Sequence, residues 1–292
     1  MGGHPVIHRE KLTMQSSNQS IDEQKISLNG YFQRLGYSSE PVPNLHTLRE
    51  IVSLHSRCIP FENLDPLLKK RVHLDLLSLQ KKLIESGRGG YCYEHNLLLK
   101  DVLSQIGFTV SGLAARVLWQ RSQAGRAQRS HMILRVVVDG TDYLVDVGFG
   151  GLGVISPLRL FDESVQSTEL EDFRIRRDGD DFILEVLLED WESLYRFDLS
   201  PFLDADYETL NWAASTHPDS PFPRVLMAAF ISDSDRHALL NNRYQIYRNG
   251  KLQERKEIRN ADELRDVLHQ RFGIILPDTA DLDALLHRLC AP

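Results

Sequence analysis

The sequence predicts an α+β protein, with a helical region first, a run of antiparallel strands second and a mixed α/β region last. Two observations carry this. Over the first third, apolar residues recur at helical spacing; from about residue 108 they fall into short β-rich segments separated by turn residues. Helices followed by strands point to segregated layers, not to alternating βαβ units.

In chain order, Leu28, Tyr31, Phe32 and Leu35 fall at i, i+3, i+4 and i+7 on one helical face, and Leu45, Leu48, Ile51, Val52 and His55 repeat the pattern. A third helix is expected over 76–86, ending near Gly87. The strongest pattern is 91–106 (YCYEHNLLLKDVLSQI). There Leu98, Leu99, Val102, Leu103 and Ile106 form the apolar face, and Gly107 sits where a helix-terminating glycine belongs. Strands are expected at Phe108–Trp119, Met132–Val138, Tyr143–Val147, Phe173–Arg176, Phe182–Leu188 and Leu194–Asp198, with turns at Asp139-Gly140 and Asp178-Gly179-Asp180. Beyond about 200 come a loop with Pro218, Pro221 and Pro223, a hairpin at Asn249-Gly250, and helices near 261–271 and 280–290.

The chain's 292 residues suit one large domain or two to three small ones, at about 150 residues each. Its net charge of −7 does not fit the basic face of a nucleic-acid binder. Cys58, Cys92 and Cys290 are too few and too scattered for a disulfide framework, and no CxxC pair suggests zinc. Their pattern fits a reducing compartment, and the expected location is the cytoplasm. No apolar run approaches the roughly 20 residues needed to span a bilayer, and the N-terminal residues lack the apolar core of a signal peptide. Residues 1–23 read as a flexible polar extension, either native or lying upstream of a start at Met14.

Chemistry concentrates around Arg88-Gly89-Gly90-Tyr91-Cys92-Tyr93-Glu94, where two glycines precede a cysteine that opens the best helix. Glycines allow a tight turn and close approach of a ligand. Unpaired N–H groups and the positive dipole end at such a site favour a thiolate, and the same N–H groups suit an oxyanion. A buried structural cysteine after a glycine turn is the competing reading. His131 begins an expected strand (SHMILRV) and is a candidate base, or else an ordinary strand-edge histidine. Asp146, inside an otherwise apolar strand (YLVDVGFG), is costly to bury unless hydrogen-bonded. An imidazole N–H or strand-end backbone groups would serve. Cys, His and Asp in that order, on a helix and two following strands, match the nucleophile, base and orienter of papain- or transglutaminase-like sites.

Four blocks carry a more specific resemblance: PFENLD (60–65), RGGYCYE (88–94), SHMILRV (130–136) and DVGFG (146–150). With Tyr195-Arg196-Phe197-Asp198 and Ser215-Thr216-His217-Pro218, they resemble the arylamine N-acetyltransferases over about residues 24–275. No long insertion follows the strands, so the chain resembles the bacterial type. The resemblance implies a helical domain (24–108), a β-barrel domain (109–210), and a linker with an α/β lid (211–292) around a cysteine-protease-like core.

It also implies a ping-pong transfer, of the kind used in xenobiotic metabolism. Acetyl-CoA, a co-substrate and not a tightly bound cofactor, acetylates Cys92, and an arylamine, arylhydroxylamine or hydrazine takes the acetyl group. By carry-over, His131 activates Cys92 and Asp146 orients His131. Phe61, Val117, Trp119, Phe149 and Phe222 resemble the lining of the acceptor pocket, though each also reads as a core residue. Ser130, Gly148, Gly150 and Gly151 line the coenzyme A cleft in the same reading. Arg88 and Glu94 brace the cysteine turn. No metal is implied, and the expected state is a monomer or homodimer. The alternatives are an amide synthase of the same fold closing macrolactams, a cysteine hydrolase, or a non-catalytic binding protein.

Overall fold

The computed structural model describes residues 25–120 and 128–291. The expected extension at 1–23 lies outside the described residues. The chain opens with helices α1 (Leu28–Leu35) and α2 (Leu45–Cys58), started by Ser27 and Asn44 side chains that accept from Gly30 N and Thr47 N. Each such cap contributes about 1 kcal/mol. A two-residue strand, β1 (Phe61–Glu62), precedes the short helices α3 (Leu64–Leu67) and α4 (Leu76–Leu79). The helix expected over 76–86 is therefore only one α turn. It widens into π-helical backbone over Gln80–Glu85, where Ser86 N bonds back to Lys81 O. Helix α5 (Cys92–Ile106) closes this part, stopped by Gly107 at φ 106°.

Eight strands then form one antiparallel sheet: β2 (Thr109–Val117), β3 (Arg129–Val138), β4 (Thr141–Val145), β5 (Leu158–Arg159), β6 (Gln166–Ser167), β7 (Asp172–Asp178), β8 (Asp181–Leu187) and β9 (Trp191–Phe197). Their order is β5-β4-β3-β2-β9-β8-β7-β6. The sheet curls into a near-closed barrel, and one side chain spans its open seam. Gln166 Oε1 accepts from Arg159 N at 2.7 Å while its Nε2 donates to Arg159 O at 3.0 Å, so the amide imitates a strand partner.

Alternation along β3 divides the core. Met132, Leu134 and Val136 face the helices, packing against Leu98, Leu99 and Val102 of α5 and Ile51 of α2. Ile133 faces the barrel interior with Leu113, Phe173, Leu184 and Phe197. Each fully buried Leu or Ile here contributes about 1.5–3 kcal/mol.

After the barrel come α6 (Asp204–Thr216), strands β10 (Met227–Ser232), β11 (Asp235–Leu240), β12 (Arg243–Arg248) and β13 (Lys251–Glu257), and helices α7 (Ala261–Gln270) and α8 (Ala280–Cys290). Asn249 and Gly250, both at positive φ, make the expected β12–β13 turn. The second sheet runs β1-β10-β11-β12-β13, so Phe61 and Glu62, early in the chain, form the edge of a sheet otherwise built after residue 226. Leu64 and Leu67 likewise pack with Leu264, Leu268 and Phe272. Among the described residues, no helix is long and apolar enough to cross a membrane, and no cluster of three His, Cys, Asp or Glu side chains suits a metal.

Candidate active site

The turn before α5 is built by close approach. A Cβ on Gly89 would lie 1.9 Å from the Pro60 carbonyl oxygen, so only glycine fits. Gly90 N donates to Pro60 O at 3.3 Å and Glu62 N donates to Gly90 O at 2.8 Å, zipping the turn to β1. Glu94, at the third position of α5, reaches back so that its Oε2 accepts from Tyr91 N at 3.0 Å. Its Oε1 accepts from Lys82 Nζ at 2.7 Å. Lys82 also meets Asp65 at 2.6 Å, and Arg88 binds Glu62 and Asp65. Burial raises Glu94, and the opposing pull of Lys82 is offset by repulsion from Asp65 and Glu62, leaving it at about 7. Three carboxylates thus share two cations under the cysteine turn, beside a cavity of about 420 Å³ that Lys82, Arg88 and Glu94 help to line.

Cys92 is the first residue of α5 and is buried. Its sulfur lies 3.9 Å from the Ser130 carbonyl. That carbonyl is presented by a β-bulge: Ala115 pairs with His131 and Arg116 with Arg129, leaving Ser130 as the extra residue of β3. His131 therefore sits two residues inside β3, not at its first position. The bulge aims it at the barrel-side cluster, where its ring lies 5.2 Å from both Phe149 and Tyr195. Asp146 lies one residue past the end of β4, not within the strand. Leaving the ladder there frees its carboxylate to serve two elements.

His131 Nε2 meets Asp146 Oδ2 at 2.6 Å, and Asp146 Oδ1 accepts from Gly148 N at 2.9 Å and Asn96 Nδ2 at 3.2 Å. Strand-end backbone and imidazole thus both satisfy Asp146. Burial alone would raise its carboxyl, but His131, Gly148 N and Asn96 together hold it below the usual range. Burial also opposes charge on His131. The Asp146 carboxylate, its hydrogen bond and the nearby Cys92 outweigh that and lift His131 to about 10. With Nε2 held by Asp146, Nδ1 is the ring atom left for the sulfur.

Asn96, one turn after Cys92, went unnoticed in the sequence. Its Nδ2 also donates to Met132 O at 2.8 Å and its Oδ1 accepts from Val147 N at 3.3 Å, so it ties α5 both to β3 and to the segment that follows β4. Its place one turn after Cys92, at i+4 on the same helical face, was the available signal. Tyr195, which the sequence marks only as part of the Tyr195–Asp198 block, is fully buried against His131, and burial followed by Asp146 holds its phenol well above the ordinary value.

Of the other candidates, Phe149 and Gly148 touch this centre directly. Phe149 packs on His131 and Tyr195, with ring centroids 5.2 and 5.4 Å away. Phe222 packs edge-on to Tyr91 at 5.0 Å, and the Phe61 ring faces Gly150. Val117 pairs with Tyr195 at the end of β2, and Trp119, beyond it, packs with the barrel cluster. Gly148 is pressed against α5, where a Cβ would lie 2.6 Å from Cys92 Cα. Gly150 has φ +86°, and Gly151 faces open space.

A family model described as N-acetyltransferase matches residues 44–281. The arylamine N-acetyltransferase of Mycolicibacterium smegmatis is 43% identical over 263 residues, covering 88% of this chain and 95% of that protein. The chain belongs to the arylamine N-acetyltransferase family. The arylamine N-acetyltransferase of Escherichia coli K12 is 35% identical over 253 residues, covering 86% of this chain and 90% of that protein. Among solved structures, the Mycobacterium marinum arylamine N-acetyltransferase in complex with CoA superimposes with a TM-score of 0.87 at 38% identity, covering 91% of this chain and all of that one.

Proposed function

We propose that this arylamine N-acetyltransferase moves an acetyl group from acetyl-CoA to aromatic amines through a thioester on Cys92. The observation that carries the reading is the convergence of Cys92, His131 and Asp146, with the 2.6 Å His131–Asp146 contact and His131 lifted to about 10. A cationic His131 ring beside the sulfur favours the thiolate, the form in which a cysteine attacks. The sulfur adds to the acetyl carbonyl. The N–H groups of the first turn of α5, which have no acceptor within the helix, are placed to hold the oxyanion. The carbon–sulfur bond to coenzyme A breaks, and His131 gives its proton to the departing thiolate. The amine nitrogen then attacks the thioester, His131 takes the amine proton, and the Cys92 thiolate leaves. Asp146 keeps His131 in the orientation for both halves.

Phe149, Phe61 and Phe222 suit the flat face of an arylamine, and Val117 and Trp119 extend that lining along the end of β2. Ser130, Gly150 and Gly151 are read as the coenzyme A side, with Gly151 the position that a backbone-hugging donor would feel most, while Gly148, pressed against Cys92 Cα, backs the first turn of α5. All three cysteines are free thiols, which fits a reducing compartment.

The test is intact-protein mass spectrometry after brief exposure to acetyl-CoA without amine. An acetyl adduct is expected on wild type, absent from Cys92→Ala, and discharged by p-anisidine. A folded wild type that takes no adduct overturns the Cys92 route.

A further inference from the structure

A second set of buried histidines lies behind the nucleophile and takes no part in the chemistry above. Tyr31 of α1, His55 of α2 and His95 of α5 are each 0–1% exposed. Tyr31 Oη meets His55 Nδ1 at 2.8 Å, and His55 Nε2 meets His95 Nδ1 at 2.9 Å. His95 Nε2 then lies 3.2 Å from Pro60 O and 3.1 Å from Gly90 O.

The two carbonyls can only accept, so His95 Nε2 carries a hydrogen. Burial first, and repulsion from its neighbours, holds His55 well below the ordinary histidine value. Burial lowers His95 to about 4 against the pull of the two carbonyls. Both rings are therefore neutral, and one assignment satisfies every contact. Tyr31 donates to His55 Nδ1, His55 Nε2–H donates to His95 Nδ1, and His95 Nε2–H is shared by Pro60 O and Gly90 O.

Those two carbonyls are the acceptors of the backbone bonds that zip β1 to the cysteine turn. Pro60 precedes Phe61, and Gly90 stands two residues before Cys92. We propose that His95 is a positioning residue that clamps the cysteine turn to β1, fixing Cys92 against Phe61, with His55 and Tyr31 setting the tautomer that makes the clamp. His131 and Asp146 are held one helical turn further on, by Asn96 and the strands, and not by the turn that precedes Cys92. Loosening the clamp therefore moves the sulfur and the aromatic wall relative to a base that stays in place.

Glutamine reproduces the clamp, since its amide nitrogen donates and its oxygen accepts at similar separation; leucine removes it. The experiment compares wild type, His95→Gln and His95→Leu for three quantities. These are the rate of Cys92 acetylation by acetyl-CoA, read by quenched-flow mass spectrometry, the rate of iodoacetamide alkylation at pH 7, and KM for p-anisidine. With folding checked by circular dichroism, His95→Leu is expected to slow acetylation and alkylation at least tenfold and to raise the amine KM. His95→Gln is expected to stay within threefold of wild type.

A folded His95→Leu with wild-type rates and KM overturns the proposal, as does a folded His95→Gln as impaired as leucine. The proposal rests on Cys92 as acyl carrier, and that reading fails separately, through absence of any adduct on wild type. Should the leucine variant not fold, nitrogen-15 spectra of histidine-labelled wild type decide. Two imidazoles fixed as neutral Nε2–H tautomers from pH 5 to 8 are expected, and titration of His95 or an Nδ1–H pattern overturns the clamp.

Discussion

Adding one methyl group at Gly148 separates two roles for the glycines that follow Asp146. An alanine Cβ there would lie 2.6 Å from Cys92 Cα, 2.7 Å from Asn96 Nδ2 and 3.0 Å from Cys92 O. Two of the three are backbone atoms of α5, so no side chain can swing aside. Ordinary contact begins near 3.4 Å. The first turn of α5 must therefore retreat from the strand by roughly 1 Å, a displacement on the scale that costs about 100-fold in rate when it separates reacting groups. Overpacking of this kind destabilises by about 1–3 kcal/mol. Gly151 is the control, because its added Cβ meets nothing within 4 Å. Gly148→Ala is expected to slow Cys92 acetylation about 100-fold at saturating acetyl-CoA and to lower the urea midpoint. Gly151→Ala is expected to keep the midpoint and kcat and to change only KM for acetyl-CoA. A Gly148→Ala protein with wild-type kcat and midpoint, changed only in KM for the donor, would refute the packing argument and make Gly148 a donor contact.

Three other substitutions test the same geometry. Asp146→Asn removes the anion that lifts His131, and a loss of about 10⁴ in kcat/KM is expected, as for orienting carboxylates elsewhere. The raised His131 contributes stability that is full below pH 6.5 and is lost as pH rises through about 10, so that alkaline slope in Tm should be absent from Asp146→Asn. Glu94, raised from 4.5 to about 7, binds its proton more tightly in the folded state, so its contribution falls as pH rises from 4.5 to 7. Wild type minus Glu94→Gln stability should show that fall across urea midpoints in the same window. Asn96→Leu strands Val147 N–H and withdraws a donor from Asp146; about 2–4 kcal/mol of destabilisation is expected by chemical denaturation, with kcat reduced in whatever fraction folds.

Strong periodicity made the principal helices legible. Helix α5 alone shows the complete pattern of glycine turn, apolar face and terminating glycine, and its bounds differ from the expected ones by a single residue. Helix α6 was invisible for a matching reason. Its buried positions are Tyr207, Asn211, Ala214 and Ser215, two of them polar, while Trp212 is 68% exposed, so its inward face does not read as apolar. Strand β1 is two residues long and finds its partner only at β10, which no local pattern can announce. At the site, Cys92 stood out because two glycines precede it at the start of the best helix, and His131 and Asp146 because each is a polar, titratable residue beside an apolar run. Their geometry was not legible, because it depends on the Ser130 bulge and on Asp146 leaving the ladder. His95 and Asn96 were hidden inside the helix pattern that made α5 so clear, since one-dimensional reading weighs the apolar stripe and passes over the polar residues between its members.

The pairing of β1 with β10 has a temporal side. On the ribosome, roughly 170 residues must follow Phe61 before its sheet partner emerges, about 8–34 s at 5–20 residues per second. Over that interval the helices, α5 included, are available to form, but the edge against which the Cys92 turn is zipped has no sheet to belong to. An emerging chain therefore carries its most reactive thiol unassembled, and the nucleophile matures late. Stalled chains ending before residue 227 should be alkylated at Cys92 at the rate of an ordinary thiol, rising to the folded protein's rate only after β10 has cleared the exit tunnel.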